Sequence, residues 1–222
     1  MREAIERCFG TEIEGFHAYR YFKGNSALRS WMAIPLTMGI LERRQGVIDA
    51  LFSPRLMIDD GLATEAGVNT FWDRSTLYGL RGVLAGGDTE RGVEWLTRYS
   101  QRRLLGEHVP YPIELYPEGE QKQLAAESAL YCRIFTEGLF GIRPTGFRSF
   151  QMTPRLPTSW PVMRLRNVGA FGSRFTITVT RVGSGRTLRT VIQGLQGQMI
   201  SQQESEPGES IRIDLPFDFP VK

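Results

Sequence analysis

The chain has 222 residues, 41% hydrophobic and 23% charged, which suits a soluble globular protein of one large domain or two small ones. Its 27 Lys and Arg against 24 Asp and Glu leave a net charge of +3 without any block of like charge, so nucleic acid is not expected as a partner despite a pI near 9.0. No apolar run reaches the roughly 18 residues that cross a bilayer, and Cys8, Cys132, His17 and His108 show no metal-ligand spacing, so neither a membrane nor a metal or organic cofactor is expected.

The opening "MREAIERCFG" lacks an apolar signal core and reads as helix at once, as though the chain began inside a domain. "TEIEGFHAYRYF" sets Thr11 and Glu14 at capping-box spacing and predicts a helix with Ile13, Phe16, Tyr19 and Tyr21 as its buried stripe. "LERRQGVIDALFS" predicts an amphipathic helix stopped by Ser53-Pro54, and "NTFWDRSTLYGLRGVLAGG" a mostly buried one ending at Gly86-Gly87. "DTERGVEWLTRYSQRRLLG" starts at an Asp88 cap, carries cations in its last turns and ends at Gly106. "QKQLAAESALYCRIFTEGLFGI" is the longest apolar helix candidate, and it predicts a buried Cys132 thiol. After Pro144 the hydrophobic period becomes two, most clearly in "SRFTITVTRV", where Phe175, Ile177 and Val179 would face a core. These patterns predict an α+β chain: antiparallel helical hairpins over 1–145, then an antiparallel β-sandwich-like domain over 146–222.

Two stretches carry candidate chemistry. In "YPIELYPEGEQ", Pro112 and Pro117 stiffen the backbone around Glu114, which would aim its carboxylate as a water-activating base requires. The alternative is an exposed loop acid with no chemistry. Glu118 and Glu120 precede a helix and are explained as well by its dipole. Glu127 either pairs with Arg133 or points into a cleft. In "FWDRS", Trp72 could stack on a sugar ring while Asp73 and Arg74 bond its hydroxyls; the alternative is a helix start with Trp72 in the core and a surface Asp–Arg pair. His17 and His108 do not cluster at metal spacing and no Ser–His or Gly-rich phosphate motif appears, so neither a zinc enzyme nor a nucleotide enzyme has support.

From Trp31 to about Arg174 the order "FWDRSTLYGL", "DTERGVEWLTRYSQRRLLG", "PIELYPEGEQ", then an apolar helix, resembles the closing part of the six-hairpin (α/α)6 toroid glycosidases, which include trehalases and processing α-glucosidases. "EGLFGIRPTGFRSFQMTPRLPTSW", with Pro154, Arg155, Leu156, Pro157 and Trp160, resembles the step from the last toroid helix into a β domain in the phosphorylase and fucosidase branches. The resemblance implies the carboxyl-terminal portion of a toroid, hence a glycoside hydrolase of inverting mechanism, or a fragment of one. Glu114, in the E-x-Y position beside Tyr116, would be the base, and the acid would lie upstream of this chain. Trp72, Asp73, Arg74, Tyr116 and Glu120 would line the sugar subsite for an oligosaccharide or glycoside, although "WDR" stands where the trehalase branch has "WRG". Half a toroid would leave apolar helix faces uncovered, which predicts self-association. Bacterial cytoplasm and periplasm both accord with two thiols. The rival readings are a carbohydrate-binding fragment without turnover and a structural helical scaffold.

Overall fold

The computed structural model describes residues 1–105, 111–116, 125–170, 172–183 and 185–216. The chain divides into two compact units, Met1–Phe135 and Thr136–Lys222.

In chain order the first unit contains α1 (Arg2–Phe9), β1 (Gly10–Ile13), β2 (Phe16–Tyr19), a 3-10 turn (Ser30–Ala33), α2 (Ile34–Thr37), α3 (Arg44–Leu51), β3 (Met57–Ile58), β4 (Gly61–Leu62), β5 (Phe71–Trp72), α4 (Asp73–Ala85), α5 (Thr89–Arg103), β6 (Leu115–Tyr116) and α6 (Ala125–Arg133). α4 is its centre. Ten of its thirteen residues are buried, as expected of a helix covered on most sides, and it packs on α2, α5, α6 and the 3-10 turn. Small residues allow the close approaches: a Cβ on Gly79 would fall 2.6 Å from Leu62 and 2.9 Å from Trp95. α4 turns into α5 through Gly86 and Gly87, whose φ of +95° suits glycine alone. Asp88 then caps α5 by accepting from the Arg91 N–H at 3.4 Å.

The expected toroid of helical hairpins is not what the chain forms. Only 34% of it is helical, and the described residues make six helices and several small antiparallel sheets with no closed barrel. Among them α1 buries no residue and α2 is a single turn. Of the stretch from Thr11 to Phe22, expected as a helix, the part through Tyr19 forms the β1–β2 hairpin, with Ile13 directly opposite Phe16. The intervening Glu14 and Gly15 have φ of 48° and 84°, the positive pair that a tight hairpin loop demands. An i, i+3 spacing marks one face of a helix, but it also separates the two residues that close a two-residue loop, so Ile13 and Phe16 fit both. Tyr21, assigned to the buried stripe, is 55% exposed. Asp59 and Asp60, with φ of 47° and 64°, make the same kind of turn between β3 and β4. With the toroid goes the ground for expecting self-association through its uncovered faces.

α6 runs into a π-helical stretch, Ile134–Leu139, where the division between the units falls. Cys132, expected to be buried, is exposed: Glu127, Leu130 and Ile134 take the inward face of this helix, and Cys132 lies off that stripe.

The second unit holds β7 (Arg143–Gly146), β8 (Ser149–Met152), β9 (Val162–Ala170), β10 (Ser173–Val182), β11 (Thr187–Gly194), β12 (Met199–Ser205) and β13 (Ile211–Asp214). They form two antiparallel sheets, ordered β12-β11-β10-β9 and β13-β8-β7. Phe150 of one stacks on Phe175 of the other, rings 6.0 Å apart and 12° from parallel. Phe175, Ile177 and Val179 alternate with the half-exposed Thr176, Thr178 and Thr180, and Ile177 lies opposite Ile192. Between β8 and β9, the half-buried Arg155 guanidinium donates to the carbonyls of Gly138 at 3.1 Å and Thr153 at 3.0 Å. Burial, and then the neighbouring Arg143 charge, bring its pKa down to about 10.

Candidate functional site

The candidate residues gather at the amino-terminal end of α4. Two short strands do the gathering: β5 and β6 pair antiparallel, Phe71 opposite Tyr116 and Trp72 opposite Leu115. Phe71 also bridges Ala63, which ties this pair to the end of β4. A Cβ on Gly61 would come within 2.3 Å of the Phe71 ring, so the absence of a side chain there sets the depth of β5. The Trp72 carbonyl accepts from the Ser75 and Thr76 hydroxyls, each at 3.0 Å, while Thr76 Oγ1 accepts from the Leu62 N–H at 2.9 Å. The turn from strand to helix is thus held from inside.

Trp72 is half-buried, and its ring meets Trp31 edge-on at 6.3 Å and 89°. Trp31 also contacts Tyr78 at 6.2 Å. Three partly exposed aromatic rings therefore cluster beside the start of α4.

Asp73 and Arg74 diverge. Asp73 is fully buried; its Oδ2 accepts from the Ile113 N–H at 2.8 Å and from Arg103 at 3.4 Å. Desolvation raises its pKa above the usual carboxylate value, against the pull of Arg103, the Ile113 N–H and the Tyr99 hydroxyl. The Tyr99 phenol is itself raised well above its ordinary value, first by burial and then by the Asp73 charge. Arg74 points the other way. Its Nε donates to Glu127 at 2.6 Å, and its side chain stays 35% exposed while that of Glu127 is fully buried. Glu127, expected either to pair with Arg133 or to point into a cleft, is fully buried and accepts from Arg74 across the α4–α6 contact. Consecutive residues of one helix turn thus tie α4 to α5 with a carboxylate and to α6 with a guanidinium.

Glu114 is half-buried, and its carbonyl accepts from the Asp73 N–H at 3.2 Å. Trp72, Arg74 and Glu114 are therefore brought to one end of α4, with Tyr116 in the paired strand. Glu118, Glu120 and His108 lie outside the described residues.

A separate groove of about 170 Å³ opens beside β2 and the 3-10 turn, between Tyr19, Tyr21, Arg29, Trp31 and Met32. It contains none of the predicted site residues, and Trp31 alone joins it to the aromatic cluster. Among the described residues no group of three His, Cys, Asp or Glu is placed to hold a metal ion, and no helix is long and apolar enough to cross a membrane.

Arg103, Tyr99 and Trp31 escaped the reading of the sequence. Arg103 looked like one of two cations favouring a helix end, yet Arg102 pairs with Asp59 at 3.3 Å near the surface while Arg103 is 2% exposed. Its phase was available: Trp95, Tyr99 and Arg103 recur every four residues along one face of α5, and all three are buried. Nothing local marked Trp31. No protein-family model matches the chain and no curated protein matches it, so the likeness to six-hairpin glycosidases stands on its motifs alone.

Proposed function

We propose that this chain carries the base-bearing part of a glycoside hydrolase, with Glu114 activating water for attack at an anomeric carbon. One observation carries the reading: the β5–β6 pairing places Glu114 against the Trp72-Asp73-Arg74 turn, although Ile113 and Asp73 stand 40 residues apart in sequence. A sugar site needs an aromatic face, a directional cation and an aimed carboxylate within one ligand's reach. Trp72 supplies the face, with Trp31 packed against its edge. Arg74 supplies the cation, fixed in direction by Glu127 and half-exposed toward a hydroxyl. Glu114, half-buried on a segment that follows Pro112, supplies the carboxylate. In an inverting mechanism Glu114 would take a proton from the attacking water while an acid, roughly 6.5–9.5 Å away across the sugar, protonates the leaving oxygen. That acid, and the sugar contacts of Tyr116 and Glu120, belong to the same proposal. The complete enzyme, in which this chain is joined to the part that supplies the acid, should hydrolyse members of a panel of p-nitrophenyl α-glycosides and α-linked disaccharides, with loss of turnover in Glu114→Gln. Absence of hydrolysis across the panel would count against it.

The Trp31–Trp72–Tyr78 cluster favours a second reading, carbohydrate binding without turnover, because partly exposed rings stack on sugars whatever happens at the anomeric carbon. Titration calorimetry with the same sugars separates the two. Binding that weakens in Trp72→Ala, with no hydrolysis, is the signature of the second.

A further inference from the structure

A buried carboxylate in the first turn of a helix ordinarily serves that helix, whose free N–H groups and dipole attract it. Asp73 does something else. Its main-chain N–H donates to the Glu114 carbonyl, and its Oδ2 accepts from the Ile113 N–H. These two bonds bracket the Ile113–Glu114 pair, one at the nitrogen where it begins and one at the oxygen where it ends. The backbone angles that aim the Glu114 Cα–Cβ bond lie between them. Pro112 restricts the residue before, and the Ile113 side chain is 1% exposed, so the segment is also held from its inner face. Behind Asp73 stands Arg103 of α5, 3.4 Å from its Oδ2, where an unpaired buried charge would be strongly disfavoured.

We propose that Asp73 is the positioning residue for Glu114: it grips both ends of the Ile113–Glu114 pair, is itself seated by Arg103, and acts on the reaction only through the aim of the Glu114 carboxylate. Full burial keeps Asp73 from a sugar hydroxyl, so its neighbour Arg74 alone faces outward. The inference rests on the reading of Glu114 as the water-activating base.

The test uses the complete enzyme that joins this chain to the acid, p-nitrophenyl α-glycosides, and amide hydrogen exchange at Ile113. Misplacing a reacting group by about 1 Å lowers turnover by roughly 10²-fold, so Asp73→Ala should lose about that much in kcat with KM moved less than about threefold. Asp73→Asn keeps an acceptor for the Ile113 N–H and should recover at least about tenfold of the loss. Ile113 exchange should be slow in the native protein and in Asp73→Asn, fast in Asp73→Ala, and unaltered in Glu114→Gln. A native kcat in Asp73→Ala, a loss that appears in KM instead, or no recovery in Asp73→Asn would overturn the inference while leaving the base reading intact if Glu114→Gln is inactive. Ile113 protection that ignores residue 73 would overturn it whatever the activity. Should the native protein hydrolyse none of the glycosides, the base reading fails; Ile113 protection that follows Asp73 then supports the grip on its own. If Asp73→Ala does not fold, the native protein and Asp73→Asn decide: an Ile113 amide exchanging at the unprotected rate in the native protein overturns the proposal, and slow exchange in both supports it.

Discussion

The amino-terminal end of α4 and the β9–β12 sheet fill their interiors by opposite means. In the sheet, Phe175, Ile177, Val179, Leu188 and Ile192 turn inward from two neighbouring strands, and the buried polar groups are small hydroxyls such as Thr190. At the end of α4 the interior holds Asp73, Arg103 and Glu127, each 2% exposed or less. Apolar burial stabilises with little demand on geometry, at about 25 cal/mol per Å². A buried ion pair often gives no net gain over an apolar one, because desolvation offsets attraction, and it must be matched atom by atom. An interior of that kind is what a protein uses where direction counts for more than stability. The contrast separates an interior held by apolar contact from one held by matched charges, whose directions are fixed by their partners.

Substitutions can break that contrast, and the largest expected effect is kinetic. Glu114→Gln should lower kcat by roughly 10²–10⁴-fold if the residue activates water, while moving stability by less than about 0.5 kcal/mol. Steady-state kinetics beside a denaturant titration reads both; a folded variant with native turnover would remove Glu114 from the mechanism.

Next comes the charged interior. Arg103→Met leaves the Asp73 carboxylate buried without its cation and should cost about 3–5 kcal/mol in urea unfolding. Its neighbour in sequence is the control: Arg102→Ala breaks only the half-exposed pair with Asp59 and should stay within about 1 kcal/mol. Equal losses from the two would mean that burial does not distinguish these ion pairs.

In the sheet, Ile177→Ala should destabilise by about 2–5 kcal/mol through the cavity left between Ile192 and the facing strands. Whatever sugar binding or turnover the folded fraction shows should be unchanged. A change in KM or kcat at temperatures where the variant is folded would show that the two regions are not independent.

A smaller loss is expected at Gly61. An added methyl meets the Phe71 ring, so Gly61→Ala should cost about 1–3 kcal/mol. Because Phe71 belongs to β5, that strain should also loosen the β5–β6 pair, visible as faster amide exchange in residues 71–72 and 115–116. Faster exchange confined to β3 and β4 would show that Phe71 absorbs the strain.

The subtlest effect is on pH. The folded-state pKa of Asp73 is raised above its ordinary 3.8, chiefly by desolvation. The folded chain therefore holds this proton more tightly than the unfolded one. The corresponding stability is full below pH 3.8 and is lost as pH rises through the raised value. Unfolding titrations should show native stability falling relative to Asp73→Asn across that window. A difference that is flat, or that grows with pH, would mean that Arg103 outweighs burial.

Much of this molecule can be read from short windows of chain. Asp88 followed by a cationic-ended apolar face is α5, Gly86-Gly87 is the end of α4, and the strict alternation of "SRFTITVTRV" is β10. In each, the signal and the structure it specifies span the same few residues: a cap bonds an N–H three positions on, and a strand shows one face every second residue. Thr11–Phe22 marks the limit even at this range, since one spacing served a helix and a tight hairpin alike and the positive φ of Glu14 and Gly15 decided between them.

The site required more than any window holds. The motifs around Trp72 and Glu114 were visible, yet nothing in either says that they pair, because strands of two residues carry too little periodicity to announce partners 43 and 45 positions away. Nor does a helix end rich in arginine say that Arg102 will meet water and Arg103 the Asp73 carboxylate. The phase of α5 points Arg103 inward, but only an acid waiting there makes the burial tolerable. Glu127 shows the same dependence, a carboxylate on the inner face of α6 that awaits Arg74. Local chemistry acts through bonds spanning three or four residues; a buried charge is placed by a counter-charge that folding brings from elsewhere.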